Sequence, residues 1–237
     1  MPSPVGHALG GIAAAWALDL VSGRPSHPGA AGASLAEPTP GVVTLVCAGL
    51  ATLPDADLLF GVHRTASHSI SAVVLVTIVA ALVTGWVTPG PTWRRVALMC
   101  GAAYASHLLL DWMAVDRNPP LGLQLLWPFS RAWFISGLDL FPPTQRYRIW
   151  SAAAMRTNVI ACAWETALLL PIVMLLRVTK LRLVTGRSLS TCKSPGPICG
   201  QGVRRPPCGV AAGTGGISGR QGPRAARSES RDRRPGR

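Results

Sequence analysis

Four short motifs concentrate the residues of this chain that are able to bind a metal ion. The 237-residue sequence has only five histidines and ten acidic residues. Four of the histidines and three aspartates lie in the segments VGHALGG, LPDADLLFG, HRTASHS and SHLLLDWM. Imidazole and carboxylate groups together suit Zn²⁺, Mn²⁺ and Fe²⁺. A divalent-metal site is therefore the first hypothesis.

The best-defined motif is the pair His107 and Asp111, which are four residues apart. On a helix, positions i and i+4 share one face, with Cβ atoms about 5–6 Å apart. Either both side chains reach one ion, or Asp111 orients the His107 ring from behind. Taken alone, the pair also fits an ordinary hydrogen bond at a helix end.

The other motifs are weaker when each is considered separately. Asp55 and Asp57 would share a face on an extended segment but diverge on a helix, so joint use of one ion requires the extended form. A solvated loop explains them equally well. His63 and His68 are five residues apart, which matches no named zinc motif and also fits an interfacial loop.

The composition places these motifs in a membrane. Apolar residues make up 49% of the chain and charged residues only 14%, which is too few to cover a soluble surface. Of the net charge of +13, residues 179–237 carry +11, from 13 Lys and Arg against Glu229 and Asp232. The sequence predicts an all-α, polytopic transmembrane bundle of four to five segments over residues 1–178, followed by a disordered basic tail over residues 179–237.

The predicted spans bring the motifs to one side of the membrane. We expect crossings at residues 5–21, 41–53, 70–88, 96–115 and 158–178. The second is short, so it is either re-entrant or continues as a helix through LPDADLLF. Alternating directions place the start of the first helix, the 54–69 segment and the end of the fourth helix around one cavity mouth.

This arrangement predicts a site in which a metal ion activates a water molecule. Zinc is the first choice of metal, with manganese or iron as alternatives. Asp55 or Asp57 would bind the ion or act as general base, and Arg64 would hold an anionic substrate group. Glu165 is expected to be a structural hydrogen-bond partner, and His27 is excluded because it falls on the opposite side. The predicted metal ligands are His7, His63, His68, His107 and Asp111.

These motifs resemble the YdjM-like family of membrane-bound proteins predicted to be metal-dependent hydrolases. The resemblance rests on HALGG, LPDADLLFG, HRTASHSI, SHLLLDWM and GLQLLWPF, and it covers roughly residues 1–135. It implies a multi-pass bacterial inner-membrane protein with a His/Asp metal centre and hydrolase activity on an undefined substrate. The basic tail has no counterpart in that pattern.

Two functions from different classes follow from the sequence. The first is a membrane-bound metal-dependent hydrolase acting on a small-molecule, phosphoester or lipid-like substrate among membrane lipids. The alternative is a metal-ion or proton-handling transport protein, which requires ionisable residues through the full depth of the bilayer. A nucleic-acid partner is disfavoured because the excess positive charge is confined to the tail. Arg94, Arg95 and the tail favour a periplasmic-facing metal site, although Arg117 and Arg131 compete from the other side.

Overall fold

A computed structural model describes residues 1–22, 40–61, 63–87, 92–117, 119–146 and 148–191. Over these residues the chain is a bundle of five α-helices without a β-strand. The helices are α1 (Pro4–Val21), α2 (Pro40–Thr52), α3 (Ile70–Val87), α4 (Thr92–Trp112) and α5 (Ala152–Thr191). This confirms the predicted all-α membrane architecture. His27 and residues 192–237 of the predicted tail lie outside the described residues.

Four of the helical segments are long and apolar enough to cross a membrane. The most apolar is α3, with a mean hydropathy of 2.4 and no buried residue, as expected for a helix whose surface faces lipid. The other three spans are Pro4–Val21, Pro40–Phe60 and Ala152–Leu183.

Helix α4 is the centre of the bundle. It is 21 residues long, eleven of them are buried, and it packs against α1, α2 and α3. A helix enclosed by other helices can carry polar side chains, because its partners rather than lipid surround them. This explains why α4, the least apolar of the predicted crossings, carries His107 and Asp111.

The second helical segment is longer than the apolar run of residues 41–53 that predicts it. After α2, the chain continues without a break as a 3₁₀ helix over Leu53–Phe60, and Gly61 ends it with a φ of 68°. The helical alternative for LPDADLLF is therefore the observed one. A shorter 3₁₀ turn, Ala66–His68, then leads into α3.

The last helix also exceeds its predicted span. The sequence predicts a crossing that ends at residue 178 and a tail from residue 179 onward, but α5 continues to Thr191. A long irregular connection, residues 113–151, joins α4 to α5 on the side where the predicted metal motifs lie. Its described residues form two isolated β-bridges, Ala114 with Phe141 and Leu123 with Phe134.

Close packing of α1 against α2 depends on Gly11. A Cβ atom at this position would overlap the Ala51 side chain and lie 2.9 Å from the backbone oxygen of Cys47. We expect Gly11→Ala to lower the free energy of unfolding by about 1–3 kcal/mol, because the helices must separate. Gly49→Ala in α2 is the matched control, since nothing lies within 4 Å of its added Cβ. Thermal unfolding in detergent should separate the two variants, and equal melting temperatures would contradict this packing.

Candidate metal centre

Four segments of the chain deliver the seven motif residues to one buried position, called here the His/Asp cluster. His7 lies in the first turn of α1, which Ser3 caps by accepting a hydrogen bond from the Gly6 amide at 3.2 Å. The Leu53–Phe60 3₁₀ helix, the segment before α3 and the end of α4 supply the others. The members of the cluster are His7, Asp55, Asp57, His63, His68, His107 and Asp111.

Four members of the cluster form an inner group with the spacing of metal ligands: Asp55, His68, His107 and Asp111. The Nε2 atoms of His68 and His107 are 3.1 Å apart, and each lies 3.4 Å from Asp111 Oδ2. Both are 3.8 Å from Asp55 Oδ1. Ligands about 2.0–2.1 Å from a tetrahedral ion would be about 3.3–3.4 Å apart. The inner group therefore fits a divalent ion.

Hydrogen bonds to the other ring nitrogens turn both Nε2 lone pairs towards each other. His107 Nδ1 donates to the backbone oxygen of Ala51 at 2.7 Å, and His68 Nδ1 lies 3.1 Å from Asp57 Oδ2. This tautomer, with the proton on Nδ1, is the one that ligating histidines adopt when a carbonyl or carboxylate supports them. Two lone pairs 3.1 Å apart repel each other unless a cation or a proton lies between them.

The buried polar atoms that lack hydrogen-bond partners also favour a cation site at the inner group. Among the residues that the structure describes, six buried side-chain nitrogen or oxygen atoms have no such partner, and five of them belong to the cluster. They are both ring nitrogens of His7, Oδ1 of Asp55 and both carboxylate oxygens of Asp111. Leaving buried polar groups unpaired is costly. An ion held by the inner group would satisfy Asp55 Oδ1 and Asp111 Oδ2.

The two aspartates of LPDADLLF serve different parts of the cluster. Because they lie on a 3₁₀ helix, Asp55 faces the inner group, whereas Asp57 contacts His63 Nδ1 at 2.6 Å and accepts from Ser67 Oγ at 2.5 Å. Joint binding of one ion by the pair, which requires an extended segment, is thus not what the fold provides. Asp57, His63 and His68 form a second group with ligand spacing, the outer group.

His7 lies on the other side of the inner carboxylates. Its ring stacks on His107 with centroids 3.7 Å apart. Its Nε2 atom is 3.5 Å from Asp111 Oδ1 and 3.8 Å from Asp55 Oδ2, the oxygens that face away from His68 and His107. The structure therefore places His7 beside the inner group, and its role as a ligand stays a prediction.

Arg146 is the arginine that contacts members of the His/Asp cluster directly, and the role of Arg64 in holding an anionic group stays a prediction. Arg64 forms an ion pair with Asp116, whereas Arg146 Nη1 donates to His63 Nε2 at 2.7 Å and its Nη2 lies 3.9 Å from Asp55 Oδ1. Burial lowers the pKa of His63, against the effect of Asp57, so the neutral ring accepts this bond. Sequence reasoning missed Arg146 because it lies 83 residues from His63, in a connection without periodicity.

Glu165 has the structural role expected from the sequence. It is fully buried in α5 and accepts hydrogen bonds from the Ser3 backbone nitrogen at 2.9 and 3.0 Å and from the Ser3 hydroxyl. These bonds tie the start of α1 to α5. They therefore help to fix His7 in place.

A proton and a metal ion compete for His68. Burial lowers the pKa of His68, but the nearby carboxylates of Asp111, Asp55 and Asp57 outweigh burial and raise it to about 10. Below that pH, an ion must displace this proton before it can bind Nε2. We expect apparent metal affinity to rise about tenfold per pH unit between about pH 6 and 8, with release of about one proton per ion. Calorimetry in buffers of different ionisation enthalpy measures that release, and an affinity independent of pH would contradict it.

Comparison with known proteins identifies the family. The model of the family described as YdjM inner membrane protein matches residues 1–184, a range that includes the whole His/Asp cluster and all five helices except the end of α5. Searches among curated proteins and among solved structures gave no match. Together with the four helices able to span a membrane, the match confirms the resemblance and the location expected from the sequence. The chain belongs to the YdjM family and is a multi-pass protein of the inner membrane.

Proposed function

We propose that this protein is a membrane-bound metal-dependent hydrolase in which His68, His107 and Asp111 hold a divalent ion. The observation that carries the proposal is their triangle of ligand atoms, with sides of 3.1, 3.4 and 3.4 Å, closed by two opposed histidine lone pairs. Three protein ligands with one open position are typical of catalytic zinc, whereas structural sites usually have four. Zinc is the first candidate, with manganese or iron as alternatives.

The charge of the cluster supports an ion of charge +2. Asp55, Asp57 and Asp111 together contribute −3, and the guanidinium of Arg146 contributes +1 beside them. With neutral imidazoles, this leaves −2 in a largely buried volume, which is expensive without a counter-charge. In the metal-free protein, the proton on His68 offsets part of this charge.

The surrounding residues have distinct roles in the proposed reaction. A divalent ion in such a site lowers the pKa of a bound water to about 7 in favourable cases, which removes the need for a nucleophilic Ser or Cys. Asp55 is 17% exposed whereas Asp111 is fully buried, so we assign Asp55 to accept the proton of the attacking water. Asp57 holds the His68 ring in its ligating orientation rather than acting on substrate.

The site lies where a membrane-associated substrate would meet it. The 113–151 connection beside the cluster exposes large apolar side chains, including Phe129 at 91% and Trp150 at 85% exposure. Aromatic residues of this kind favour the level of the lipid headgroups. Amphiphilic or lipid-like substrates therefore suit the site, with surrounding membrane lipids as partners.

An apolar core next to the cluster disfavours the alternative function of metal or proton transport. A transport pathway needs polar or ionisable groups through the depth of the membrane. Between the cluster and the ion pairs of Asp19 with Arg95 and Lys180, the described residues form an apolar core instead. That core consists of Ala15, Val43, Cys47, Met99, Cys100 and Ala103.

The hydrolase proposal is tested with chromogenic esters and purified protein in detergent. We expect p-nitrophenyl phosphate, bis-p-nitrophenyl phosphate or p-nitrophenyl butyrate to be hydrolysed, with loss of activity after chelation and recovery after addition of zinc or manganese. Asp55→Asn should lose most of the activity while the protein still binds metal, because it removes the proposed proton acceptor and leaves the three proposed ligands in place. Activity that persists in the metal-free protein would overturn the proposal.

A further inference from the structure

Two arginines converge on a single weak acceptor at the edge of the His/Asp cluster. Arg64 Nε lies 3.4 Å from the sulfur of Met1, and Arg146 Nη2 contacts the same sulfur more closely. A thioether is a poor acceptor for a charged donor, whereas guanidinium groups form strong, often paired hydrogen bonds with oxyanions. His63 Nε2 also lies 2.7 Å from this sulfur, and it accepts a hydrogen bond from Arg146. The two guanidinium groups therefore form an anion-binding position that the methionine side chain fills.

The convergence lies beside Asp55 of the inner group. Arg146 is 27% exposed, and its Nη2 atom is 3.9 Å from the oxygen of Asp55 that faces His68 and His107. Arg64 is held in place by its ion pair with Asp116, whose Oδ2 also accepts from the Gly122 amide at 2.8 Å. A group bound at the sulfur position would thus have a cation on each of two sides and the candidate ligands beside it.

We propose that this position is a subsite for the phosphate group of the substrate and that Arg146 is its specificity-determining residue. The inference rests on the proposed hydrolase function and narrows its substrate to phosphoesters. A carboxylic ester or an amide is neutral and gains little from two guanidinium groups, whereas a phosphoester carries negative charge through the reaction. Although Met1 is buried, its side chain is unbranched and flexible, so it can move aside by changing rotamer.

The subsite is tested by phosphate binding to the purified full-length protein in detergent, loaded with zinc. Calorimetry should give an affinity for inorganic phosphate about tenfold or more weaker in Arg146→Gln, because a charge-assisted hydrogen bond is lost. The phosphate affinity of Arg146→Lys should fall between those of this variant and the parent protein, since lysine keeps the charge but loses the paired N–H donors of the guanidinium. Arg131→Gln is the matched control, because Arg131 is an exposed arginine of the same connection.

The outcomes separate this inference from the proposed function. Equal phosphate affinities in Arg146→Gln and Arg131→Gln, with metal content unchanged in both, would overturn the subsite and leave the metal centre intact. Absence of metal from the parent protein would instead overturn the proposed function, and elemental analysis of the same samples detects it. A second readout is substrate preference, since Arg146→Gln should lose phosphoester hydrolysis while retaining any hydrolysis of p-nitrophenyl butyrate.

The same calorimetry with a short-chain lipid shows whether the bound phosphate group belongs to a lipid or to a water-soluble phosphoester. Tighter binding of dihexanoyl phosphatidic acid than of inorganic phosphate, still dependent on Arg146, identifies a lipid phosphate as the ligand. Equal binding of the two, with the same dependence, identifies a water-soluble phosphoester. Binding of the lipid that is insensitive to Arg146→Gln would contradict the subsite, because it would reflect the apolar surface alone.

Discussion

Asp111→Asn is expected to abolish stoichiometric metal binding while leaving the fold intact. The substitution keeps the shape of the side chain but replaces a carboxylate that lies 3.4 Å from both His68 and His107 and 3.5 Å from His7. An amide is a much weaker ligand, and one of the three negative charges that attract the ion is lost. We expect metal affinity to fall by more than about 100-fold, a larger loss than disruption of an outer hydrogen bond causes.

Asp139→Asn is the control for this variant, because it makes the same charge change at an exposed residue of the 113–151 connection. Thermal unfolding adds a second readout. A chelator should lower the melting temperature of the parent protein and of Asp139→Asn, since bound metal stabilises the folded state by mass action. It should have no effect on Asp111→Asn. Full metal retention in Asp111→Asn would show that Asp111 is a structural residue of α4.

His107→Gln is expected to reduce metal binding severely. His63→Gln should reduce it by less than about tenfold, because His63 does not itself hydrogen-bond a proposed ligand. Both residues are histidines of the same cluster, but only His107 directs its Nε2 atom at His68 and Asp111. His63 is engaged by Asp57 through Nδ1 and by Arg146 through Nε2. The pair of variants therefore decides which of the two groups with ligand spacing holds the ion.

The opposite ranking would assign the metal to the outer group. In that case His63→Gln would lose the metal and His107→Gln would keep it, and the inner group would be a proton-linked polar core. Equal losses in both variants would indicate two ions that share His68, whose Nε2 atom faces the inner group and whose Nδ1 atom faces the outer group. Metal content and zinc titration of the two variants provide these comparisons.

The fold was largely predictable because lipid imposes simple requirements on sequence. The uncharged run through α3 and the apolar runs of α1 and α5 are long enough to cross hydrocarbon, and each one forms a helix. The continuation of α2 through Leu53–Phe60 could not be decided from the sequence, because it depends on partners for Asp55 and Asp57 that come from other helices. The extension of α5 to Thr191 likewise has no apolar signal beyond residue 178.

For the candidate site, the sequence predicted which residues come together but not what each of them contacts. Scarcity of His and Asp, together with alternating helix directions, indicates that the seven residues meet. The contacts of each residue depend on the direction of its side chain, which the spacing in the sequence does not determine. Asp55 and Asp57, for example, point to different groups. The contact of Arg146 with the cluster had no sequence signal, because the irregular connection brings Arg146 to His63 across 83 residues. The ion pair of Arg64 with Asp116, across 52 residues, had none either.

The central claim is that the His/Asp cluster of this membrane protein binds a divalent metal ion. Elemental analysis of the full-length protein, purified in detergent without chelator and then equilibrated with zinc and dialysed, measures it directly. The opposed lone pairs of His68 and His107 and the unpaired carboxylate oxygens of Asp111 predict about one or more equivalents of metal per chain. A protein that remains folded and retains no stoichiometric metal after this treatment would contradict it.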